Sequence, residues 1–132
     1  MKYMLDTNIC IYIIKKKPAK IFQVFSSLSV GDICISSITY AELQYGIFKS
    51  EHKEKNKIAL INFLAPIDIL PFSDKAAVYY GEIRADLENR GQIIGAYDLL
   101  IAAHSLSEGY TLVTNNVKEF SKINGINLLN WL

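Results

Sequence analysis

Lys2-Tyr3-Met4-Leu5-Asp6-Thr7-Asn8 places a short apolar run directly before three polar residues. The run over residues 2–5 predicts a short buried strand, and the polar residues from Asp6 to Asn8 end it. Residues 9–14 are predicted to continue as a helix. Because ligands of open α/β sheets bind beyond the carboxyl ends of the strands, Asp6 is a candidate for a functional site.

Strand and helix patterns alternate along the rest of the chain. Further strands are predicted at residues 33–35, 67–70, 111–113 and 126–129, and helices at residues 18–28, 36–48, 49–64, 73–89 and 98–107. The helix at 98–107 is apolar on nearly every side, which is typical of a central buried helix. Together these patterns predict an α/β fold built around a mainly parallel sheet.

The size and charge of the chain limit its classes of function. With 132 residues and 51% hydrophobic residues, it is expected to fold as a single domain over 1–132, without a disulfide or a structural metal. Its net charge is +1, from 14 basic and 13 acidic residues. A purely electrostatic nucleic-acid binder would be more basic, whereas an enzyme that grips one RNA locally remains compatible with this charge.

Cysteine usage and the apolar runs indicate the compartment. Cys10 and Cys34 lie inside apolar runs, and neither belongs to a CxxC pair or a zinc-ligand spacing. They are predicted to be reduced core residues of a cytoplasmic protein. No signal-peptide pattern and no apolar run of membrane-spanning length is found, so no membrane association is expected.

Polar residues also follow the later strands. Glu42 lies in the helix after the second strand, Asp98 opens the apolar helix, and Asn116 follows the fourth strand. Each has a simpler interpretation: Asp6 as a turn residue, Glu42 as a surface residue of an amphipathic helix, and Asp98 as a first-turn residue that complements the helix dipole. Their joint placement after successive strands instead favours a site for a hard divalent cation, which binds oxygen ligands.

Blocks of sequence that include these residues resemble a known family. They are Met4-Leu5-Asp6-Thr7-Asn8, Ser36-Ser37-Ile38-Thr39-Tyr40-Ala41-Glu42-Leu43, Asp98-Leu99-Leu100-Ile101-Ala102-Ala103-His104 and Leu112-Val113-Thr114-Asn115-Asn116-Val117-Lys118-Glu119-Phe120. In this order they resemble PIN-domain ribonucleases and, more narrowly, the VapC toxins of bacterial VapBC toxin–antitoxin systems. The resemblance spans nearly the whole chain and implies a single PIN-like domain with three layers, a central sheet of four to five strands flanked by helices.

The resemblance also implies roles for individual residues. Asp6, Glu42 and Asp98 would be the catalytic acids, with Asp6 and Asp98 as the ligands of Mg²⁺, for which Mn²⁺ could substitute. Thr7 and Thr114 would support the pocket through their hydroxyl groups.

The fourth block departs from the family at one position. Many members have an aspartate where this chain has Asn116, and the exchange removes one negative charge. The departure puts a tightly held second metal in doubt. Glu119, one turn further on, is the acidic residue that could compensate.

The implied activity is metal-dependent hydrolysis of RNA phosphodiester bonds, with Glu42 orienting or deprotonating the attacking water. Transfer RNA, including initiator transfer RNA, is the leading substrate, and its cleavage would block translation. The implied partners are a second copy of the chain and a VapB-like antitoxin, whose tail inserts into the active-site groove and whose own domain binds operator DNA. The apolar helices near residues 38–64 are candidates for the dimer and antitoxin contacts.

Other polar residues of the chain are weaker candidates for RNA binding or catalysis. Two basic clusters could hold RNA or simply be solvated, namely Lys15, Lys16, Lys17 and Lys20, and Lys49, Lys53, Lys55 and Lys57. Arg84 and Arg90 could reach a phosphate or a partner's carboxylate. His104 lies on a different helix face from Asp98 and is interpreted as a structural polar residue, and His52 as a solvated one.

Two alternative functions remain. The first is a catalytically silent PIN-like interaction module, which would have no physical reason to retain a costly cluster of like charges. The second is a magnesium-dependent receiver or phosphotransfer domain. A receiver would place an aspartate at the end of the third strand, where Leu70-Pro71-Phe72 stands, and a phosphotransfer hydrolase would have one at Asn8. The sequence therefore fits neither the receiver nor the phosphotransfer hydrolase well.

Overall fold

The structure is a computed structural model that describes residues 2–29 and 31–132. Strands and helices alternate along the chain, as predicted. In order they are β1 (Tyr3–Leu5), α1 (Thr7–Lys15), α2 (Ala19–Ser27), β2 (Ile33–Ser36), α3 (Ser37–Phe48), α4 (Lys53–Leu64), β3 (Asp68–Leu70), α5 (Asp74–Asn89), α6 (Ala96–Glu108), β4 (Thr111–Val113), α7 (Val117–Phe120) and β5 (Leu128–Leu129).

The strands form one five-stranded sheet in the order β3-β2-β1-β4-β5. All the pairings between described strands are parallel, with Met4 opposite Cys34 and Leu5 opposite Val113. The chain builds outward from β1 through β2 and β3, then crosses back to the other side of β1 to form β4 and β5. The carboxyl ends of β1 and β4 therefore border the topological switch point, where doubly wound α/β proteins bind ligands.

Helices cover both faces of this sheet and create two separate cores. Leu5, Ile35 and Val113 belong to a core that includes residues of α1, α2, α3 and α4. Met4 and Leu112, which point to the opposite face, belong to a core that includes residues of α5, α6 and α7. Successive strand residues alternate between the two cores because side chains along a strand point to opposite faces. The predicted three-layer α/β fold is confirmed.

The predicted central helix is α6. Ile101, Ala102 and Ala103 are fully buried, as expected for a helix that is apolar on nearly every side. It begins at Ala96 rather than at Asp98, so Asp98 lies in its first turn. It ends at Gly109, whose φ of 71° lies in the left-handed region that glycine adopts without a steric cost.

Several element boundaries differ from the predicted ones. Helix α1 starts at Thr7 because the Asp6 side chain accepts a hydrogen bond from the backbone N–H of Ile9 and caps the helix. The last strand covers only Leu128–Leu129, the two residues that pair with β4. The short helix α7 was not predicted.

The predicted core position of the two cysteines is confirmed, since Cys10 and Cys34 are free and buried. Burial raises the pKa of the Cys34 thiol to about 12, and it also raises the pKa of Cys10. Within residues 2–29 and 31–132, no helix has the length and hydropathy needed to span a bilayer.

Candidate active site

Asp6 lies at the carboxyl end of β1, at the switch point of the sheet. Its backbone N–H donates to the Val113 carbonyl (3.0 Å), and its Oδ1 accepts from the Ile9 N–H (2.9 Å). The carboxylate also accepts a hydrogen bond from the Thr114 side chain. The simple interpretation of Asp6 as a residue that binds nearby backbone is therefore correct, and it is compatible with a second role in a site.

The pKa of Asp6 is raised from 3.8 to about 6. Burial is the largest cause, since Asp6 is only 4% exposed. The hydrogen bonds from Thr114 and Ile9 oppose the rise, and the charges of Asp98 and Glu42 add to it. The structure thus brings the three predicted carboxylates close enough to repel one another. We call Asp6, Glu42 and Asp98 the acid cluster.

Glu42 reaches this cluster from α3. The helix starts directly after β2, where the Ser36 hydroxyl oxygen accepts from the Ile38 N–H at 3.1 Å and caps it. One turn later, Glu42 Oε1 accepts a 2.6 Å hydrogen bond from the Thr7 hydroxyl, and Thr7 Oγ1 also lies 3.4 Å from Thr39 Oγ1. The predicted supporting position of Thr7 is therefore beside Glu42.

Asp98 contributes the third carboxylate from the first turn of α6 and is half-buried. Its pKa is raised by burial first, and then by the charges of Glu42 and Glu119. A carboxylate in a first turn also interacts favourably with the helix dipole. As with Asp6, the structural interpretation of Asp98 is compatible with a role in a site.

The polar residues after β4 differ in whether their side chains contact the acid cluster. Thr114 is fully buried, and besides its bond to Asp6 its hydroxyl oxygen accepts from the Asn116 backbone N–H at 2.9 Å. The Asn116 side chain itself is exposed, so the contact shown for this residue is made by its backbone. Glu119 lies near enough to raise the pKa of Asp98, but its Oε2 is paired with Lys122 Nζ at 3.2 Å.

The acid cluster suits a cation held by few protein ligands. Within the described chain, no group of three or more His, Cys, Asp or Glu side chains is placed to hold a metal ion together. Mg²⁺, however, commonly binds one or two carboxylates and keeps several waters. The buried Asp6, repelled by two neighbouring carboxylates, has the chemistry that a divalent cation relieves. Asp6 and Asp98 are the residues that could hold it.

One pair of polar residues joins two of the elements that bear these acids, and its contact was not predicted. His104 of α6 is fully buried, and its Nδ1 lies 2.7 Å from Ser36 Oγ. The interpretation of His104 as a structural polar residue is confirmed. The sequence placed Ser36 only at the start of the helix predicted at 36–48, because nothing in a local pattern shows that a residue on another helix will contact it.

The basic residues named as candidates for RNA binding are exposed or are paired with residues outside the acid cluster. All four lysines of the first cluster are exposed. Arg84 is already paired with Glu88 at 3.1 Å, and Arg90 is paired with Asp86 at 2.8 Å and also donates to the Lys122 carbonyl. The prediction that these arginines reach a phosphate is weakened, because each would first have to leave an intrachain partner.

Comparisons with known proteins identify the family. The family model of the PIN domain matches residues 3–126. Ribonuclease VapC2 of Rickettsia felis is 52% identical over 132 residues, covering 99% of this chain and 98% of that protein. The tRNA(fMet)-specific endonuclease VapC of Shigella flexneri is 44% identical over 131 residues, covering 99% and 98% respectively. A chain in the crystal structure of VapBC2 from Rickettsia felis bound to a DNA fragment from their promoter superposes with a TM-score of 0.94 at 50% identity, with 100% of both chains covered.

Proposed function

Because this chain belongs to the PIN-domain family and, within it, to the VapC ribonucleases, we propose that it is the toxin of a toxin–antitoxin system and a metal-dependent endoribonuclease. The observation that supports this best is the acid cluster at the switch point of the sheet. Burying a carboxylate beside two others destabilises the folded protein. A catalytic cation bound by these carboxylates would offset their charge and explain the arrangement.

Asp6 and Asp98 would hold the ion, Mg²⁺ with Mn²⁺ as a substitute. When bound, such a cation offsets the negative charge that develops on the phosphodiester oxygens and lowers the pKa of nearby water. Thr114 keeps the Asp6 carboxylate oriented through its hydrogen bond, and this bond also favours the ionised form that a cation requires. Asn116 contributes through its backbone to the orientation of Thr114.

Glu42 is the residue that acts on the attacking water. Its Oε1 is oriented by the 2.6 Å hydrogen bond from Thr7, so Oε2 is the oxygen that would accept a proton from the water. The water oxygen then forms a bond to phosphorus while the bond from phosphorus to the leaving ribose oxygen breaks. Glu119 adds negative charge near Asp98, which strengthens the attraction of the site for a cation.

Transfer RNA is the substrate class we propose, with initiator transfer RNA as a candidate. The support is the 44% identity to a protein named as a tRNA(fMet)-specific endonuclease. Cleavage of such an RNA would block translation. An RNA substrate and two reduced buried thiols are consistent with action in the cytoplasm.

A VapB-like antitoxin is the proposed inhibitor. A cavity of about 270 Å³ opens between α1, α3 and α4, with an apolar lining that includes Ile11, Ile14 and Ile47 and with Glu42 at its border. An apolar segment in this groove would lie beside the acid cluster and exclude RNA from it. Operator DNA would be bound by the antitoxin, as the related VapBC2 complex on promoter DNA suggests. We also propose a homodimer.

The central test compares the wild type with Asp6→Asn and Asp98→Asn on purified transfer RNA, with Mg²⁺, with Mn²⁺ and with a chelator. Replacing residues that merely support metal ligands costs about 10- to 100-fold, so each variant is expected to lose at least about 100-fold in activity. Asp68→Asn, at an exposed position of the edge strand β3, is the matched control and should retain full activity.

Two outcomes would contradict the proposal. A wild-type protein that cleaves no RNA with either ion would indicate the catalytically silent module. An Asp6→Asn variant as active as the parent would remove the acid cluster from the mechanism. Mapping RNA 5′ ends after brief induction in cells separately tests the substrate class, because scattered cuts in messenger RNA with intact transfer RNA would overturn that part.

A further inference from the structure

Helix α3 presents a second surface next to the acid cluster. Ala41 and Glu42 lie three and four residues after Ile38, and Tyr45 lies four and three residues after them, so the four side chains share a helix face. Together with Tyr97 they line a cavity of about 450 Å³. Glu42 thus belongs to the acid cluster and also lines this cavity.

Two tyrosines flank the cavity and leave most of their surface to solvent. Tyr45 is 66% exposed and Tyr97 is 60% exposed. Tyr97 immediately precedes Asp98 on α6, and Tyr45 lies one turn after Glu42 on α3. Each ring is therefore attached next to a carboxylate of the acid cluster but on a different helix.

A positive charge accompanies one of the rings. Lys49 Nζ lies 5.2 Å from the centroid of the Tyr45 ring, within the distance of a cation–π contact. Exposed aromatic rings combined with a basic side chain are the features with which proteins bind single-stranded nucleic acid, by stacking bases and attracting phosphates.

We propose that the cavity between Tyr45 and Tyr97, which we call the tyrosine pocket, binds one unpaired nucleobase next to the phosphodiester that is cleaved. The base stacks on a tyrosine ring, and Lys49 attracts a neighbouring phosphate. The pocket volume lies within the range of about 300–1,000 Å³ typical of small-ligand sites. This inference rests on the proposed function and adds Tyr45 and Tyr97 as residues that bind the substrate.

A nucleotide fits the pocket better than an apolar surface of another protein does. An apolar surface over the pocket would offer no charged partner to Lys49, which lies beside the Tyr45 ring. A nucleotide instead offers a flat aromatic face to the tyrosines and a negative charge to Lys49. The pocket has no fixed set of donors and acceptors for one base, so stacking would tolerate several bases.

The test uses steady-state cleavage of a transfer RNA that the wild type cuts. Tyr97→Leu and Tyr45→Leu remove a ring, whereas Tyr97→Phe and Tyr45→Phe keep it. Loss of one stacked base corresponds to roughly a 5- to 150-fold rise in KM, with a smaller change in kcat. At least one leucine variant should show this rise, and both phenylalanine variants should stay within about threefold of the wild type.

A second measurement separates stacking from a general disturbance of the site. RNAs with an abasic residue at each position beside the mapped cut are compared with the intact RNA, for the wild type and for the affected leucine variant. At one position, removal of the base should raise KM for the wild type but cause no further rise for the variant, since both changes delete the same contact. Additive effects at every position would overturn the proposal.

Tyr110→Leu is the matched control. Tyr110 also has a lysine near its ring, with Lys2 Nζ 5.9 Å from the centroid, but it precedes β4 and so lies at the opposite end of the strands. The KM of the Tyr110→Leu variant should equal that of the wild type. The molecular mass in solution is measured for every variant. A leucine variant that dissociates a dimer and loses activity equally on intact and abasic RNA would assign the pocket to an interface between copies instead.

Failure of this inference is distinguishable from failure of the proposed function. If the wild type cleaves transfer RNA and both leucine variants keep its KM, the tyrosine pocket is wrong while the nuclease assignment stands. If the wild type cleaves no RNA with Mg²⁺ or Mn²⁺, both proposals fail together.

Discussion

His104 Nδ1 on α6 lies 2.7 Å from Ser36 Oγ at the cap of α3, and both side chains are fully buried. Because α6 includes Asp98 and α3 includes Glu42, this contact links the two helices that bring carboxylates to β1. The ring packs edge-on against Phe72, with centroids 5.5 Å apart. His104 Nε2 is buried without a hydrogen-bond partner among the described residues, and burial lowers the pKa of the imidazole.

The buried imidazole makes stability depend on pH. Its folded-state pKa lies below 6.5, so the unfolded chain takes up a proton first as the pH falls. The stabilising contribution of His104 is complete above pH 6.5 and is lost as the pH falls through the folded-state pKa. His104→Leu should lower the free energy of unfolding at pH 7.5 by about 1–3 kcal/mol, because Ser36 loses a buried partner, and by less at acidic pH.

Urea denaturation of the wild type and His104→Leu at pH 7.5 and pH 5.5 checks this expectation. His52→Leu is the matched control, since His52 is exposed and should leave both values nearly unchanged. An equal loss of stability for His104→Leu at both pH values would contradict the assignment of a neutral buried imidazole.

The acid cluster should destabilise the metal-free protein at neutral pH. The pKa of Asp6 rises from 3.8 to about 6 on folding, so its protonated form favours the folded state and this contribution is lost as the pH rises from about 4 through 6. Asp6→Asn keeps an oxygen that can cap α1 but has no charge. We expect it to raise the free energy of unfolding at pH 7.5 in a chelator by about 1–3 kcal/mol.

The same variant should respond differently to Mg²⁺. Thermal unfolding with and without the ion should show a metal-dependent rise in Tm for the wild type, because a ligand that binds only the folded state stabilises it. The rise should be absent in Asp6→Asn and present in Asp68→Asn. An equal response of the wild type and Asp6→Asn to Mg²⁺ would show that the ion binds elsewhere.

Thr7 should matter for activity through Glu42. Thr7→Val has nearly the same shape as threonine but cannot donate the 2.6 Å hydrogen bond that orients Glu42 Oε1. We expect kcat/KM on transfer RNA to fall by about 10- to 100-fold, as is typical for residues that orient a site. Thr7→Ser restores the hydroxyl and should recover most of the activity, so a serine variant as impaired as the valine one would refute this role.

Substitutions at two helical glycines separate an effect on stability from an effect on antitoxin binding. An added Cβ would meet nothing within 4 Å at Gly46 of α3 or at Gly81 of α5. Gly46→Ala and Gly81→Ala should each therefore stabilise the protein by about 0.5–1 kcal/mol in urea denaturation. Gly46 also lines the apolar groove proposed for the antitoxin, whereas Gly81 is an exposed residue of another helix.

Larger substitutions at the same glycines test the groove itself. Gly46→Leu should fill it and weaken binding of a peptide from a VapB-like antitoxin tail by at least about tenfold, as measured by calorimetry. Gly81→Leu is the matched control and should bind like the wild type. Equal affinity of the two leucine variants would place the antitoxin contact on another surface.

The local features of this fold can be predicted from the sequence alone. The apolar run before Asp6 predicted β1, and the continuous apolar pattern after Asp98 predicted the buried helix α6. These predictions succeeded because hydrogen bonds within a helix, and the alternation of side chains along a strand, join residues that are close in sequence. The resemblance to the VapC ribonucleases, which the comparisons confirm, rested on the order of such local blocks.

Contacts between residues far apart in the sequence could not be predicted in this way. Thr7 and Glu42 are separated by 35 positions, and Ser36 and His104 by 68, yet each pair is in direct contact. Such contacts depend on the order of the strands and on which face of the sheet each helix covers. A periodic pattern shows that a helix has an apolar side, but it does not show which element that side will pack against.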